Sequence, residues 1–183
     1  MSAPGRLENL RQFVNSLDLD HPERDPLASP VQAQTWLGNH GLASGMLTDQ
    51  EAAEIRDLRE ALRSELLAHA GEEPDADTWT ALATKLAGSG LRITFQPEGG
   101  VSLEPAAARG AEGVRGAIAT LIYEAVQSGK WRRLKACRKH TCQFAFYDRS
   151  KNGSGAWCDM AVCGNRVKAQ RRRDRDRAVV RKR

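Results

Sequence analysis

Apolar side chains recur three or four positions apart in several stretches of the first 130 residues. This spacing places them on one face of an α-helix, so it predicts helices over residues 6–18, 30–40, 77–87 and 111–127. The segment 20–30 contains three prolines and is predicted to be a loop. The front part of the chain is therefore expected to be mostly helical.

A fifth helix, beginning after Thr48, has the strongest pattern. Thr48 and Glu51 have the spacing of a capping box, in which each side chain binds a free backbone amide at the start of the helix. Gly71 is expected to end this helix. Arg59 and Arg63 lie off its apolar stripe and are expected to be solvated. The stripe itself consists of Ile55, Leu58, Leu62 and Leu66.

The periodicity changes from helical to twofold after residue 90. Apolar and polar residues alternate over 91–95 and again over 101–103, and the segment 97–100 between them contains Pro and Gly. This pattern predicts a β-hairpin. With helices on both sides of the hairpin, the chain is predicted to have an α+β fold.

The charged residues divide the chain into two parts of opposite sign. Residues 1–129 contain 10 Lys and Arg against 19 Asp and Glu, a net charge of −9, whereas residues 130–183 contain 18 against 4, a net charge of +14. The two sum to the +5 of the whole chain. We place a domain boundary between residues 129 and 130. The basic part is expected to bind a polyanion while the acidic part has a different task.

The hydropathy pattern predicts no membrane-spanning segment, since no apolar run approaches the roughly 18 residues that a bilayer requires. The first ten residues are polar and contain no apolar signal-like stretch. We therefore expect a cytoplasmic protein that does not bind membranes. Disulfides are rare in that reducing compartment, so clustered cysteines indicate metal or redox chemistry.

The four cysteines form two matched pairs. Cys137 and Cys142 are separated by four residues, as are Cys158 and Cys163, and fifteen residues lie between the pairs. Two such pairs around a mid-length loop are typical of a structural zinc site, because each pair can aim two thiolates at one ion. The spacing predicts one structural zinc. His140, inside the first pair, is an alternative ligand.

The cysteines have two other possible roles, as unligated core thiols or as a redox pair. Four unligated core thiols are an alternative, whereas a redox role is disfavoured because no C-x-x-C is present. Residues 130–183 have few large apolar side chains, so burial alone would not fold them. A structural zinc contributes on the order of 10 kcal/mol of folding free energy, which is enough to make folding of this segment favourable.

The sequence around the cysteines resembles the CGNR zinc-finger family. Its naming tetrapeptide is present as Cys163-Gly164-Asn165-Arg166, and segments 131–137, 146–150 and 157–160 also match. The front part, residues 1–129, is similar to the ABATE domain that precedes this finger. That similarity rests on Phe13-Val14-Asn15-Ser16 and on Leu58-Arg59-Glu60-Ala61-Leu62-Arg63.

The resemblance carries expectations for fold and function. It implies an N-terminal ligand-sensing domain, a small C-terminal zinc finger that binds DNA, and a role as a stress-related transcription regulator. It also implies that Cys137, Cys142, Cys158 and Cys163 are the zinc ligands, and it does not include His140 in the ligand set.

Residues 166–177 are predicted to form a basic helix without an apolar face, capped by Asn165. Such a helix suits a phosphate-lined groove, where counterion release gives most of the affinity and arginine or glutamine can bind base edges. A disordered, nonspecific tail is the alternative. The candidate nucleic-acid-binding residues are Arg166, Lys168, Gln170, Arg171, Arg172, Arg173, Arg175 and Arg177.

No catalytic motif is present in the sequence. It contains no P-loop, no G-x-S-x-G and no H-E-x-x-H, and four cysteines would fill the coordination sphere of a zinc ion. We therefore expect no enzyme activity. Ligand-binding residues are not assigned; the residues to inspect for a pocket are Asn15, Trp36, His40, Arg59 and Arg63, although core packing or solvation explains each more simply.

Three functions are compatible with these patterns. We expect a zinc-dependent, nucleoid-associated DNA-binding transcription regulator, with DNA as partner, a small-molecule effector as a candidate, and a homodimer left open. The alternative is an RNA-binding or ribosome-associated zinc protein, since an arginine-rich helix also serves RNA. The third is a protein-interaction module whose tail docks on an acidic surface, including its own front domain.

Overall fold

A computed structural model describes residues 2–42, 45–73 and 77–180, apart from the side chains of Arg171 and residues 174–180. These ranges contain helices and two separate two-stranded antiparallel sheets, which confirms the predicted α+β fold. In chain order the elements are α1 (Leu7–Val14), α2 (Pro30–Asn39), α3 (Asp49–His69), α4 (Thr78–Leu86), β1 (Leu91–Phe95), β2 (Val101–Pro105), α5 (Gly110–Gln127), β3 (Leu134–Ala136), β4 (Ala145–Tyr147) and α6 (Asn165–Val180).

The long helix α3 is the centre of the fold. Its predicted capping box is confirmed: Thr48 Oγ1 accepts a hydrogen bond from the Glu51 amide, and Glu51 Oε2 accepts one from the Thr48 amide. The apolar stripe of α3 is buried against α1, α2, α4, α5 and β3. Because neighbours lie on several sides of it, α3 fixes the positions of most other elements.

The expectation that Arg59 and Arg63 are solvated is wrong. Each residue is only 2% exposed. Arg59 donates from Nη1 and Nη2 to the two carboxylate oxygens of Asp25, over 2.7 and 2.9 Å. A buried guanidinium needs such partners, because an unpaired charge is costly to take out of water. Neighbouring elements therefore bury not only the apolar stripe of α3 but also the polar positions beside it.

The other predicted elements are present with shifted ends. The helix predicted over 6–18 ends at Val14, and the following residue, Asn15, turns its side chain to β4. Helix α2 is capped by Ser29 with proline at its first position, and α4 is capped by Asp77. The predicted hairpin is β1–β2, in which Ile93 pairs with Leu103.

One apolar core extends across the predicted domain boundary. Buried side chains from the β3–β4 region pack into the same cluster as those of the front helices. Strand β3 lies against α3, β4 lies against α1, and the Leu134 carbonyl is 2.8 Å from Nδ1 of buried His69. The boundary at residue 130 therefore stays a prediction. The members from the second part are Trp131, Leu134, Ala136, Ala145 and Tyr147.

Close contact between α5 and β2 gives a stability prediction. A Cβ added at Gly116 would lie 2.9 Å from Pro105 Cβ, which is closer than side-chain atoms approach. We expect Gly116→Ala to lower the free energy of unfolding by about 1–3 kcal/mol through overpacking, although alanine favours helices. Urea denaturation checks this. Gly100→Ala, whose Cβ has ordinary contacts, is the control; a stabilised Gly116→Ala variant would contradict the prediction.

Within the described ranges, the structure contains no helix of the length and apolarity required to cross a membrane.

Candidate metal centre and nucleic-acid interface

The four cysteine sulfurs converge on one point. All four Sγ atoms lie within 4.8 Å of one another. The distance from Cys142 Sγ to Cys158 Sγ is 3.6 Å, and that from Cys158 Sγ to Cys163 Sγ is 3.7 Å. The cysteines are not joined in disulfides. The two pairs predicted from their spacing thus form a single cluster, with sulfur contacts both within and between the pairs.

The cluster has the dimensions of a tetrahedral zinc site. With Zn–S bonds of about 2.3 Å, the sulfurs at the corners of a regular tetrahedron are ~3.8 Å apart. The two sulfur–sulfur distances above agree with this edge length. Four soft sulfur ligands are also the donor set that structural zinc sites use. The residues present therefore fit one structural zinc, as predicted.

Two tight turns position the cysteine pairs. Cys137 follows β3 directly, and the chain then turns so that the Cys142 amide donates to the Lys139 carbonyl over 2.8 Å. Cys163 lies in a π-helical turn, Met160–Gly164, which follows Cys158. Asp159 caps that turn by accepting a hydrogen bond from the Val162 amide over 2.8 Å. The two turns thus place the cysteines of each pair close enough for all four sulfurs to share one site.

The thiols interfere with each other's ionisation. Hydrogen bonds from Cys142 and Cys158 lower the pKa of Cys137 to about 2. Hydrogen bonding to Cys137, with further contributions from Cys142 and burial, holds the pKa of Cys158 far above its usual range. Burial, together with repulsion from Cys137 and Cys142, raises the pKa of Cys163 to about 11. Close packing of the sulfurs thus opposes the ionisation of Cys158 and Cys163, and a bound divalent cation is what makes several thiolates compatible.

His140 does not join the cluster. It is exposed, and the metal-ligand group found in the described part of the chain contains the four cysteines alone. The alternative of isolated core thiols also fits poorly, because the four sulfurs share one site instead of filling separate places in the core.

A buried ion pair organises the loop between the cysteine pairs. Lys135 Nζ lies 2.9 Å from Asp148 Oδ2, and both side chains are 4% exposed. Lys135 also donates to the carbonyls of Gly153 and Gly155, while Asp148 accepts from the amides of Ser150 and Gly155. The loop therefore wraps around these two charges. Sequence reasoning missed both residues, because nothing in the local pattern shows that Lys135 is buried.

The pKa of Asp148 reflects these contacts. Burial alone would raise it, but the hydrogen bonds from Lys135, Ser150 and Gly155 outweigh burial and hold the pKa well below its usual range. The carboxylate is therefore ionised throughout the neutral range and can balance the buried ammonium group.

Helix α6 continues from the cysteine cluster. It packs chiefly on the π-helical turn Met160–Gly164 among the described elements. The prediction that Asn165 caps the helix is wrong: Asn165 has helical φ and ψ of −67° and −37°, because the chain enters α6 from a turn that is already helical and capped by Asp159. The helix that was predicted over 166–177 extends from Asn165 to Val180.

The described candidate nucleic-acid contacts lie on the surface of α6. A hydrogen bond of 2.7 Å joins Arg173 Nη2 to Gln170 Oε1, one turn earlier on the helix. The side chains of Arg171, Arg175 and Arg177 lie outside the described part of the structure. The exposed candidates are Arg166, Lys168, Gln170, Arg172 and Arg173.

The five residues proposed for a front-domain pocket have other contacts. Trp36 stacks on His40 with ring centroids 3.7 Å apart, at the end of α2. Arg59 binds Asp25, whereas Asn15 and Arg63 reach the zinc-finger part of the chain. A cavity of about 200 Å³ lies elsewhere, lined by Glu54, Ile55, Thr84, Lys85, Ala87 and Arg115.

Comparison with protein families agrees with this organisation. The model of the CGNR zinc-finger family matches residues 133–176. The model of the ABATE family, described as "Putative stress-induced transcription regulator", matches residues 11–129, which is well over half of the chain. The chain belongs to the ABATE family. A search among curated proteins gives no significant match.

In this ABATE protein, the family comparison and the structure agree on the position of the metal site. The CGNR match contains all four of them, and both family descriptions are of regulator or zinc-finger type, not of enzymes. The resemblance predicted from the sequence is thereby confirmed for both parts.

Proposed function

We propose that this ABATE protein is a zinc-dependent, DNA-binding transcription regulator that acts in the cytoplasm. In this proposal Cys137, Cys142, Cys158 and Cys163 are the ligands of one structural Zn²⁺, and α6 is the DNA contact. The metal, when bound, crosslinks the two cysteine pairs. The observation that carries the proposal is that a highly basic helix is attached directly to the cysteine cluster.

The shape and charge of α6 support a role at a nucleic-acid groove. Its 16 residues include seven Lys or Arg and two Asp. A helix of this length extends over roughly 24 Å, and the major groove of B-DNA is about 12 Å wide. Since α6 has no apolar face, its side chains are better suited to phosphates and base edges than to a protein core.

Attachment to a metal centre gives the helix a defined direction. Cys163 lies in the turn that leads into α6, so fixing its sulfur also fixes the start of the helix. A rigid start allows the same side chains to reach the same positions on a duplex, which specific binding requires.

Selection of bound sequences from a random duplex pool, with and without chelator, tests the proposal. We expect enrichment of a defined sequence with zinc and none after zinc removal. Structured RNA of matched length is the competitor at equal salt. Preference for the RNA would replace the DNA proposal with the RNA-binding alternative, and the absence of salt-sensitive binding to either would reject both.

Loss of charge on α6 should reduce DNA affinity in a salt-dependent way. We expect the triple variant Arg166→Gln, Lys168→Gln, Arg172→Gln to bind duplex DNA about tenfold or more weakly. The slope of log K against log salt concentration should become shallower by roughly 2–3, because each phosphate contact contributes about 0.9 to that slope. Fluorescence anisotropy across a salt series measures both quantities.

A matched control separates a local contact from a change in net charge. The triple variant Arg6→Gln, Arg24→Gln, Arg92→Gln removes the same charge from exposed front-domain side chains that already have acidic partners. We expect an effect below about threefold, since distant surface charges are screened. Equal losses in both triples would show that α6 has no special role.

Control by a small-molecule effector is part of the proposal. The cavity of about 200 Å³ lined by Glu54, Lys85 and Arg115 is the candidate site, because charged side chains of both signs surround it and could pair with a polar ligand.

A further inference from the structure

A buried arginine of the front domain reaches the first cysteine pair. Arg63 donates from Nη1 to the carbonyl of Gln143 over 3.0 Å, and Gln143 directly follows Cys142. From Nη2 it donates to the carbonyls of Val14 and Leu17 over 2.8 and 3.3 Å. Its Nε pairs with Glu60. The guanidinium group therefore ties α3, the end of α1 and the first cysteine turn to one another.

The residue that Arg63 holds has an unusual backbone conformation. Gln143 has a φ of 48°, a value that glycine adopts readily and that other residues adopt at a cost. Its amide and that of Cys142 both donate to the carbonyl of Lys139, over 3.2 and 2.8 Å. This tight turn sets the position of the Cys142 sulfur. A hydrogen bond to the Gln143 carbonyl helps to keep the turn closed.

A second front-domain side chain holds the other end of the same segment. Asn15 donates from Nδ2 to the Ala145 carbonyl over 2.9 Å and accepts from the Ala145 amide at Oδ1 over 2.6 Å. The amide thus closes the outer edge of β4, whose inner edge pairs with β3. Between the two anchors, the Phe144 carbonyl accepts from the Cys137 amide over 3.0 Å.

We infer that Arg63 and Asn15 are positioning residues for the metal centre, a step that rests on the proposed zinc ligation. They hold segment 143–145, to which the backbones of both Cys137 and Cys142 are tied. The front domain therefore pre-organises half of the zinc site. Coupling of this kind is reciprocal, so a change in the front domain that moves α1 or α3 alters zinc affinity, and zinc binding favours one front-domain state.

The test uses the full chain and three variants. Arg63→Lys and Asn15→Ala remove contacts to the cysteine segment, whereas Arg59→Lys removes contacts of an equally buried arginine whose partners all lie in the front domain. Zinc affinity is measured by competition with a chromophoric chelator. Co²⁺ absorption is recorded as a reporter of tetrahedral sulfur ligation, and thermal unfolding is recorded for each variant in excess zinc.

We expect Arg63→Lys and Asn15→Ala to weaken zinc binding by roughly 10–100-fold, the range for groups that orient metal ligands. Arg59→Lys lowers thermal stability and leaves zinc affinity and the Co²⁺ spectrum unchanged. Zinc should also slow amide exchange in α1 and α3 in the wild type, and less so in Arg63→Lys.

Two results would overturn the inference. Equal weakening in Arg59→Lys would show a general stability effect, and wild-type zinc affinity in both Arg63→Lys and Asn15→Ala would show that the contacts do not position the ligands. If one of these two variants does not fold, the other decides. A wild-type chain that binds no metal would instead reject the zinc proposal itself, so the two failures are distinguishable.

Discussion

Replacement of Cys158 by Ser weakens Zn²⁺ binding by roughly a hundredfold or more. Four-ligand structural zinc sites bind with about 10–16 kcal/mol, so one of four ligands accounts for ~3 kcal/mol, which corresponds to about two factors of ten. The Cys158 sulfur lies 3.6 Å from the Cys142 sulfur and 3.7 Å from the Cys163 sulfur, so this variant removes a ligand that contacts both pairs. A serine hydroxyl occupies nearly the same space but is a poor zinc ligand near neutral pH.

Metal analysis of the purified protein and chelator competition measure this effect. His140→Ala is the matched control, since His140 is the alternative ligand in the first pair and is exposed. We expect it to retain one zinc per chain with wild-type affinity. Retention of tight zinc binding by Cys158→Ser, or its loss in His140→Ala, would contradict the four-cysteine assignment.

The structural consequence of Cys158→Ser should be uneven along the chain. Loss of zinc should free the second cysteine turn and the start of α6, which contact chiefly each other, whereas the first turn stays tied to the front domain through Arg63. The β3–β4 hairpin should stay in place, since Leu134, Ala145 and Tyr147 belong to the core shared with the front helices. Amide exchange is therefore expected to rise sharply over 156–170 and only slightly in β3 and β4.

Replacement of Lys135 by Met lowers the free energy of unfolding by about 3–5 kcal/mol, because it leaves the Asp148 carboxylate buried without its cation. It also removes the donor that holds the carbonyls of Gly153 and Gly155. The loop between the cysteine pairs therefore loses the buried charge around which it folds. We therefore expect weaker zinc binding as a secondary effect.

Denaturant unfolding at pH 7 in excess zinc measures the loss. The pKa of Asp148 is lowered, so its stabilising contribution is fully present above the ordinary carboxyl pKa of about 4 and is lost only as the pH falls through the lower folded value. Measurement at pH 7 thus samples the ion pair in full. Lys85→Met breaks the exposed pair with Asp57, of 2.7 Å, and is the control.

For Lys85→Met we expect a change below about 1 kcal/mol, since exposed ion pairs contribute little. A similarly small loss in Lys135→Met would mean that the loop is held by its backbone contacts alone. A large loss in both would point to a general sensitivity of the chain to removal of lysine charge.

The cysteine cluster was predictable because its chemistry is local. Two short spacings of equal length, with no other cysteine in the chain, leave few arrangements apart from one shared site. The capping box of α3 was predictable for the same reason, since Thr48 and Glu51 interact within one turn. Short-range sequence patterns of this kind can be interpreted without knowing how the rest of the chain folds.

Errors arose where a residue's role depends on distant parts of the chain. Arg63 has the polar character of a solvated helix position, yet its partner Gln143 is 80 residues away. Lys135 sits in a strand whose burial comes from α3 and not from its own pattern. Asn165 has the sequence of a cap, but the preceding turn is already helical.

By itself the sequence determined the α+β class, most of the helices, the cysteine cluster and the opposite charges of the two parts, because each depends on periodicity, spacing or composition. The tertiary structure alone decided that β3 and β4 complete the core of the front helices and that Asn15 and Arg63 grip the first cysteine turn. These contacts join residues far apart in the chain, and long-range packing leaves no periodic trace in either partner.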